Sequence, residues 1–469
     1  MIRSTLAIAG LSLRSAIRSK LVICLVVVLA AGLIAVPWVV RADGTLTGRI
    51  KVGLVYSLGF AAVVLALTTL WAACRLIADE IDGRQIHQLV VKPVRRFQVW
   101  LGKWLGLLAL NAVLLGCVGL FVYGSVLWRM RTDPAPAPEK SEVRNTVLTA
   151  RTSLAPRDEL TSDTVHAALD RLVRDGQIPE DAPHDEAYTR VRRSMQRARS
   201  TAQPGESIRW VFDLPPDWLR AFKRSGATSA TLQFHLSQHA LDRKPITGRW
   251  FVGSEQEPRL YSVSVRNHME RTHRLVVPLA PESIGEGPIV VEFVNGDADV
   301  SHRAVFRLDR NIELLFREGG FGGNLTRALI ILFCKIAALA ALGLCVSAMF
   351  SFPVASFSAV SAMIMALLVH YLAATSAHAG GCGHDHGHGD DGSGWFLHAG
   401  ESVGKALALA MEPVMRVKTL EPLADGLLIG RRETGRAVVL MLILYPGLFG
   451  LAAGAVLNAR ELGLPGRAG

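Results

Sequence analysis

Apolar and polar residues segregate along this chain into six long apolar runs joined by charged connections, with one very long polar interval between the third and fourth runs. The runs cover residues 21–40, 52–73, 104–128, 328–350, 354–374 and 437–458. Each is close to the about 20 residues that an α-helix needs to cross a bilayer. The first is longer than the core of a signal peptide and has no small-residue cleavage pattern after it, so it reads as a retained span. Ahead of it, Arg3, Arg14, Arg18 and Lys20 alternate with apolar residues, the pattern of a helix lying on the inner membrane surface.

The connection between the second and third runs has a pattern of its own. Leu76, Ile77, Ile81, Ile86, Leu89 and Val90 recur at helical spacing, while Asp79, Glu80, Asp82, Arg84 and Gln85 take the other side. Pro93 stops this amphipathic helix, and Arg95, Arg96, Gly102 and Lys103 form a cationic approach to the third run, the composition of a loop that stays cytoplasmic.

The polar interval begins with DPAPAPEK at residues 133–140, a stiff linker, and continues for roughly 190 residues that cannot lie in lipid. Residues 161–175 and 184–203 read as two charged helices, the first capped by Ser162 or Asp163. From Ser207 onward the period falls to two. Leu232, Phe234 and Leu236 alternate with Thr231, Gln233 and His235, and similar strands recur near Trp210, Trp250, Val263, Val276, Val291 and Phe306, as in a β-sandwich. The stretch EGGFGGNLTRAL, 318–329, is a flexible return to the membrane. Only Ser351 to Pro353 separate the fourth and fifth runs, a tight hairpin. After the fifth run, 380–394 is a Gly/His/Asp tract, and 403–429 is too interrupted by charges and prolines to span, reading instead as a re-entrant or interfacial segment.

The predicted fold is therefore a six-helix α-helical transmembrane bundle with a large extracytoplasmic α+β domain containing a β-sandwich. Its parts are 1–128, with a cytoplasmic segment at 75–103; 129–325, the outer domain; 326–374, spans four and five; 375–436, the outer His-rich loop and re-entrant segment; and 437–469, span six with a cytoplasmic C-terminus. Composition agrees, with 50% hydrophobic residues, 19% charged and a mean hydropathy of +0.30, too apolar for a soluble chain and too charged to be membrane throughout. The net charge of +11 gathers at the ends of the apolar runs, where it orients spans and meets anionic headgroups; no nucleic-acid motif accompanies it. Five of the six cysteines lie in or at the end of apolar runs, so no disulfide framework is readable.

At Glu80, Gly83, Pro93, Arg96, Gly102 and Lys103 the chain resembles the permease subunits of type-2 ABC exporters, in which an acidic residue and a glycine on a short cytoplasmic helix precede a Pro-x-x-Arg turn and a Gly-Lys pair. The six spans and the Ser351–Pro353 connection fit the same pattern, while the outer domain falls outside it. The resemblance implies that 75–103, Arg84 included, is a coupling segment that docks in a separately encoded ATPase of a bacterial inner membrane. It further implies a second permease subunit, and ATP with magnesium bound by the partner rather than by this chain. GESVGKA at 400–406 is one residue short for a phosphate loop and has Ala406 where the magnesium-binding hydroxyl belongs, so no ATP site is readable here.

Two further signals remain open in the sequence. Cys382, His384, His386 and His388 stand at alternate positions beside Asp385, Asp390 and Asp391, a ligand set for zinc, copper or nickel or else a hydrophilic loop with incidental histidines. Lys335 and Asn111 are polar residues inside apolar runs: Lys335 marks a substrate path or snorkels to the outer boundary, and Asn111 bonds a neighbouring helix. The outer-domain histidines His235, His239, His268, His273 and His302 have no ligand spacing. Trp210, Trp218, Trp250 and Tyr261 form either a stacking face for sugars or lipids or core. The rival functional reading is a membrane-anchored envelope sensor or scaffold whose outer sandwich binds a ligand or partner.

Overall fold

The computed structural model describes residues 2–40, 44–82, 96–158, 160–179, 183–215, 222, 229–237, 246–267, 272–278, 287–296, 303–306, 312–378 and 419–459. The chain divides into two compact units: Met1–Leu148 with Gly320–Gly469, and Thr149–Gly319.

The first unit is helical. It opens with α1 (Ile2–Arg18) and α2 (Lys20–Val39), the second capped by Ser19, whose Oγ accepts from Val22 N at 3.3 Å. Helix α3 (Leu46–Asp82) and helix α4 (Arg96–Thr132) are each 37 residues long. A short α5 (Ala137–Thr146) follows, and the unit resumes with α8 (Phe321–Met349), α9 (Phe352–His378), α10 (Leu420–Ala424), α11 (Arg431–Ala437), a π-helical stretch Val438–Leu444, and α12 (Tyr445–Ala459).

Four helical segments are long and apolar enough to cross a membrane: Leu46–Ala78, Arg96–Thr132, Phe321–Met349 and Arg431–Leu457. A fifth is reached if α1 and α2, bent by 64° at their junction, count as one span, so the described residues carry four or five such segments where the sequence led us to expect six. The shortfall lies at the first and fifth runs. The first is a 20-residue helix joined to α1 at a bend, and in the 27-residue α9 the described side chains end at Met365, which leaves Phe352–Met365 as a shorter apolar helix. Large apolar side chains stand exposed on these helices, among them Val27, Ile34, Val63, Val113, Leu120, Phe357, Ile443 and Leu451. Apolar side chains turned outward on helices whose backbone bonds are satisfied internally suit a lipid surround.

Sequence and structure part at three boundaries. Residues 137–148 do not begin the outer domain: Pro138 starts a helix in its first turn, and Val143 and Val147 bury in the core of the helical unit. Glu139 accepts from Leu46 N, and Asp133 pairs with Arg49 at 3.2 Å, so the predicted stiff linker is instead a brace across the start of α3. The expected flexible return at 318–329 is also absent, because strand β10 (Glu313–Gly320) ends where α8 begins. Finally, residues 76–82 are not a separate short helix but the last turns of α3.

The second unit holds β1 (Thr149–Leu154), α6 (Ser162–Arg174), α7 (His184–Arg199), β2 (Thr201–Ala202), β3 (Ser207–Phe212), β4 (Ser229–Ser237), β5 (Ile246–Ser254), β6 (Tyr261–Asn267), β7 (Thr272–Pro278), β8 (Ile289–Asn295), β9 (Ala304–Phe306) and β10. Thr161, rather than Ser162 or Asp163, occupies the N-cap position of α6. The strands form a six-stranded sheet, β1-β10-β4-β9-β2 with β7 also paired to β4, and a four-stranded sheet, β3-β8-β5-β6. Leu232, Phe234, Leu236 and Phe306 of the first sheet share one core with Trp250, Val252, Val291 and Phe293 of the second, which makes the pair a sandwich. Trp250 is fully buried, its ring centroid 4.4 Å from Phe234 and 4.7 Å from Phe293. Trp210, half-buried, is stacked on it at 6.1 Å; Trp250 is therefore core. Helices α6 and α7 bury Val165, Leu169, Ala187 and Val191 in a small core of their own.

Candidate functional site

The described ends of segment 75–103, the last turns of α3 and the first turns of α4, pack together as a neck. Lys103 is 2% exposed, and its Nζ donates to Leu76 O at 2.7 Å, tying α4 to α3 one helical turn before the predicted coupling residues. A buried ammonium survives only with such acceptors, so this bond fixes where the side chain must lie.

Gly102 stands one residue away for a different reason. A β-carbon there would lie 2.8 Å from Ile8 Cβ and 3.0 Å from Thr5 O; at Gly106 it would lie 2.8 Å from Ser12 Cβ and 2.9 Å from Ala9 O. Two glycines four apart thus form a groove on α4 into which α1 is pressed, the small-residue packing that lets helix backbones approach in a membrane. On the opposite side, Phe97, Trp100 and Trp104 stack successively at 6.1 Å. Trp100 covers Gly450 of α12, and Trp104 Nε1 donates to Ala337 O of α8 at 3.0 Å. Ala337, Ala341, Leu344 and Ala348 of α8 pack around these rings, which closes the neck on its remaining side.

Deeper in the same helix pair, Asn111 is 2% exposed; its Oδ1 accepts from Thr69 Oγ1 at 2.9 Å, and its Nδ2 donates to Leu107 O at 2.9 Å. Asn111 therefore joins α4 to α3. Lys335 is half-buried midway along the 29-residue α8. It lies about 20 Å from either helix end.

The remaining sequence-predicted residues separate cleanly. Arg96 is the first residue of α4, and Glu80 lies in the last turn of α3, its side chain outside the described residues. Gly83, Arg84 and Pro93 lie outside the described residues, as do Cys382, His384, His386 and His388, and with them the 400–406 stretch. Among the described residues no three of His, Cys, Asp and Glu come together as a metal site. His235 and His273 are half-buried on β4 and β7, while His239, His268 and His302 lie outside the description.

At the other end of α3 and α8 is a cluster that reading the sequence missed. Asn324, 1% exposed, donates from Nδ2 to Leu427 O at 2.7 Å and accepts from Ile429 N at 2.9 Å through Oδ1. Arg327 donates to Ile429 O at 3.1 Å, and Lys51 pairs with Asp425 at 2.6 Å. Residues 419–430 are thereby held on α8 and α3, with Leu423 and Ile429 in the main core. The signal available was a polar residue at each start of an apolar run, but nothing in spacing links Asn324 to a backbone 100 residues away.

Compared with known proteins, the chain matches no family model, and no curated protein or solved structure is significantly similar to it.

Proposed function

We propose that this chain is the membrane-spanning permease subunit of an exporter driven by a separate ATPase, with segment 75–103 as the contact through which ATP hydrolysis moves the spans. One observation carries the reading. Helix α3 runs unbroken from the core of the helical unit to Asp82, and α4 restarts at Arg96 in a neck fixed by Lys103, Gly102 and Trp100. A force applied between Asp82 and Arg96 reaches two 37-residue helices at once, through packed contacts rather than a loose loop.

In this reading the protein has six spans, counting α2 and α9 with the four long segments, and sits in a bacterial inner membrane. Both termini are cytoplasmic, and the sheet-rich unit is outside. Two permeases would meet two ATPases, with ATP and magnesium held by the partner and the substrate path at the permease interface, where the half-buried Lys335 is the first residue to examine. The alternative is a membrane-anchored sensor or scaffold whose sheet-rich unit binds a ligand or partner.

Purification of the native chain in mild detergent, with identification of its co-purifying proteins, tests the proposal. An ATPase carrying a phosphate loop is the expected companion. Recovery of a kinase or protease in its place, with no ATPase, would transfer the chain to the signalling class.

A further inference from the structure

Strand β3 is the terminal strand of the four-stranded sheet, and among the described residues its outer edge is paired only at Val211. Alternate residues of an antiparallel strand turn both main-chain groups to the same neighbour. Asn295 N donates to Glu206 O at 3.0 Å, so the even-numbered residues face β8. Val211 O accepts from Arg157 N at 2.7 Å on the other side, so Ser207 and Arg209, at the same parity, present their N–H and C=O groups to that outer edge. Among the described residues nothing pairs with them there. Residue 157 makes a single rung and then leaves.

Beside those two rungs lies a cavity of about 550 Å³, floored by Glu206 to Val211 and walled by residues 155–158, Leu160 and the end of α7. That volume falls in the ~300–1,000 Å³ range of ligand pockets. Arg157, Arg199 and Arg209 line it with Asp158 and Glu206; Asp158 is engaged by Arg192 at 3.3 Å, Glu206 by Gln203 N at 2.9 Å and Arg157 by Asp213 Oδ2 at 2.7 Å. Arg209 is exposed and makes no ion pair among the described residues; Glu292, opposite it in the ladder, is taken by Arg259 at 3.2 Å.

We propose that this edge is a docking strand for an extended acidic peptide, which adds to β3 beyond the Arg157 rung and sets carboxylates against Arg209. Main-chain donors and acceptors repeating every second residue match a peptide backbone and no sugar ring, and strand addition of this kind draws affinity from the backbone and selectivity from the alternate side chains. Docking there is independent of what the helices transport.

The test uses the full-length chain in detergent and fluorescein-labelled acetyl-(Glu-Val)3-amide, read by anisotropy. Saturable binding is expected, at least about tenfold weaker for the Lys-Val peptide and for a Glu-Val peptide N-methylated at alternate residues. Ser207→Pro removes an outward N–H at the first residue of an edge strand, where proline is tolerated, and should weaken binding about tenfold with an unchanged thermal midpoint. Arg209→Glu should do the same. Binding that ignores N-methylation, that survives Ser207→Pro, or that is displaced by an oligogalacturonate would make this an acidic-glycan or plain charge site and overturn the proposal, as would the absence of saturable binding.

Discussion

Gly106 and Gly116 lie on one helix ten residues apart and differ in what surrounds them: a β-carbon at the first meets Ser12 and Ala9 within 3 Å, while at the second nothing lies within 4 Å. Gly106→Leu should therefore overpack the α1 contact and cost about 1–3 kcal/mol, whereas Gly116→Leu should be close to neutral. Thermal midpoints of the two variants in the same detergent decide the point, and equal midpoints would remove the groove from the account. A second residue-scale case concerns pH. Asp213 accepts from Arg157 Nε at 2.7 Å and from Nη2, which holds its carboxyl below the ordinary 3.8. A carboxyl with a lowered pKa stabilises the fold above its unfolded value, and that contribution disappears as the pH falls through the folded value. Asp213→Asn should thus lower the midpoint slightly at pH 7, the pair being solvent-exposed, and the gap should shrink as the pH falls below the ordinary carboxylate value and vanish below the folded one. A gap of the same size at pH 7 and at pH 3 would mean that the carboxylate's charge is not what Arg157 reads.

Among the elements, those legible in the sequence were the ones whose period is local. The alternation at Leu232, Phe234 and Leu236 became β4, and the apolar runs became helices with ends within a few residues of the charges that flank them. What was not legible depended on partners distant in the chain. DPAPAPEK reads as a linker until Glu139 is seen to meet Leu46 N, and residues 76–82 read as an independent helix until they are seen to continue α3. Gly102 and Lys103 were picked out by motif, but the motif says nothing of α1 or of Leu76 O, which are what they touch. The 419–430 segment is the clearest such case, since its position rests on Asn324. Asn324→Ala would leave Leu427 O and Ile429 N without their side-chain partner, a loss of about 1–3 kcal/mol for buried groups. Hydrogen–deuterium exchange at Ile429 should accelerate while the amides of β5 keep their protection; unchanged exchange at Ile429 would show that apolar packing alone holds the segment.

At the scale of the whole molecule, two compact units divide the chain at Leu148 and Gly320, one rich in long apolar helices and one built of sheets. The proposed topology puts the sheet-rich unit outside the cytoplasm. Cysteines introduced at Ser225 and Ser254, each compared with the parent chain, should react with a membrane-impermeant maleimide in intact cells, and labelling only after lysis would invert the orientation. The transport proposal meets its most direct test at the segment between α3 and α4. With the co-purified ATPase reconstituted in proteoliposomes, Glu80→Lys combined with Arg84→Glu should abolish the stimulation of ATP hydrolysis by this chain and reduce recovery of the ATPase in the complex, while leaving the thermal midpoint of the chain itself in place. Stimulation and co-purification equal to those of the native chain would contradict the coupling role of segment 75–103.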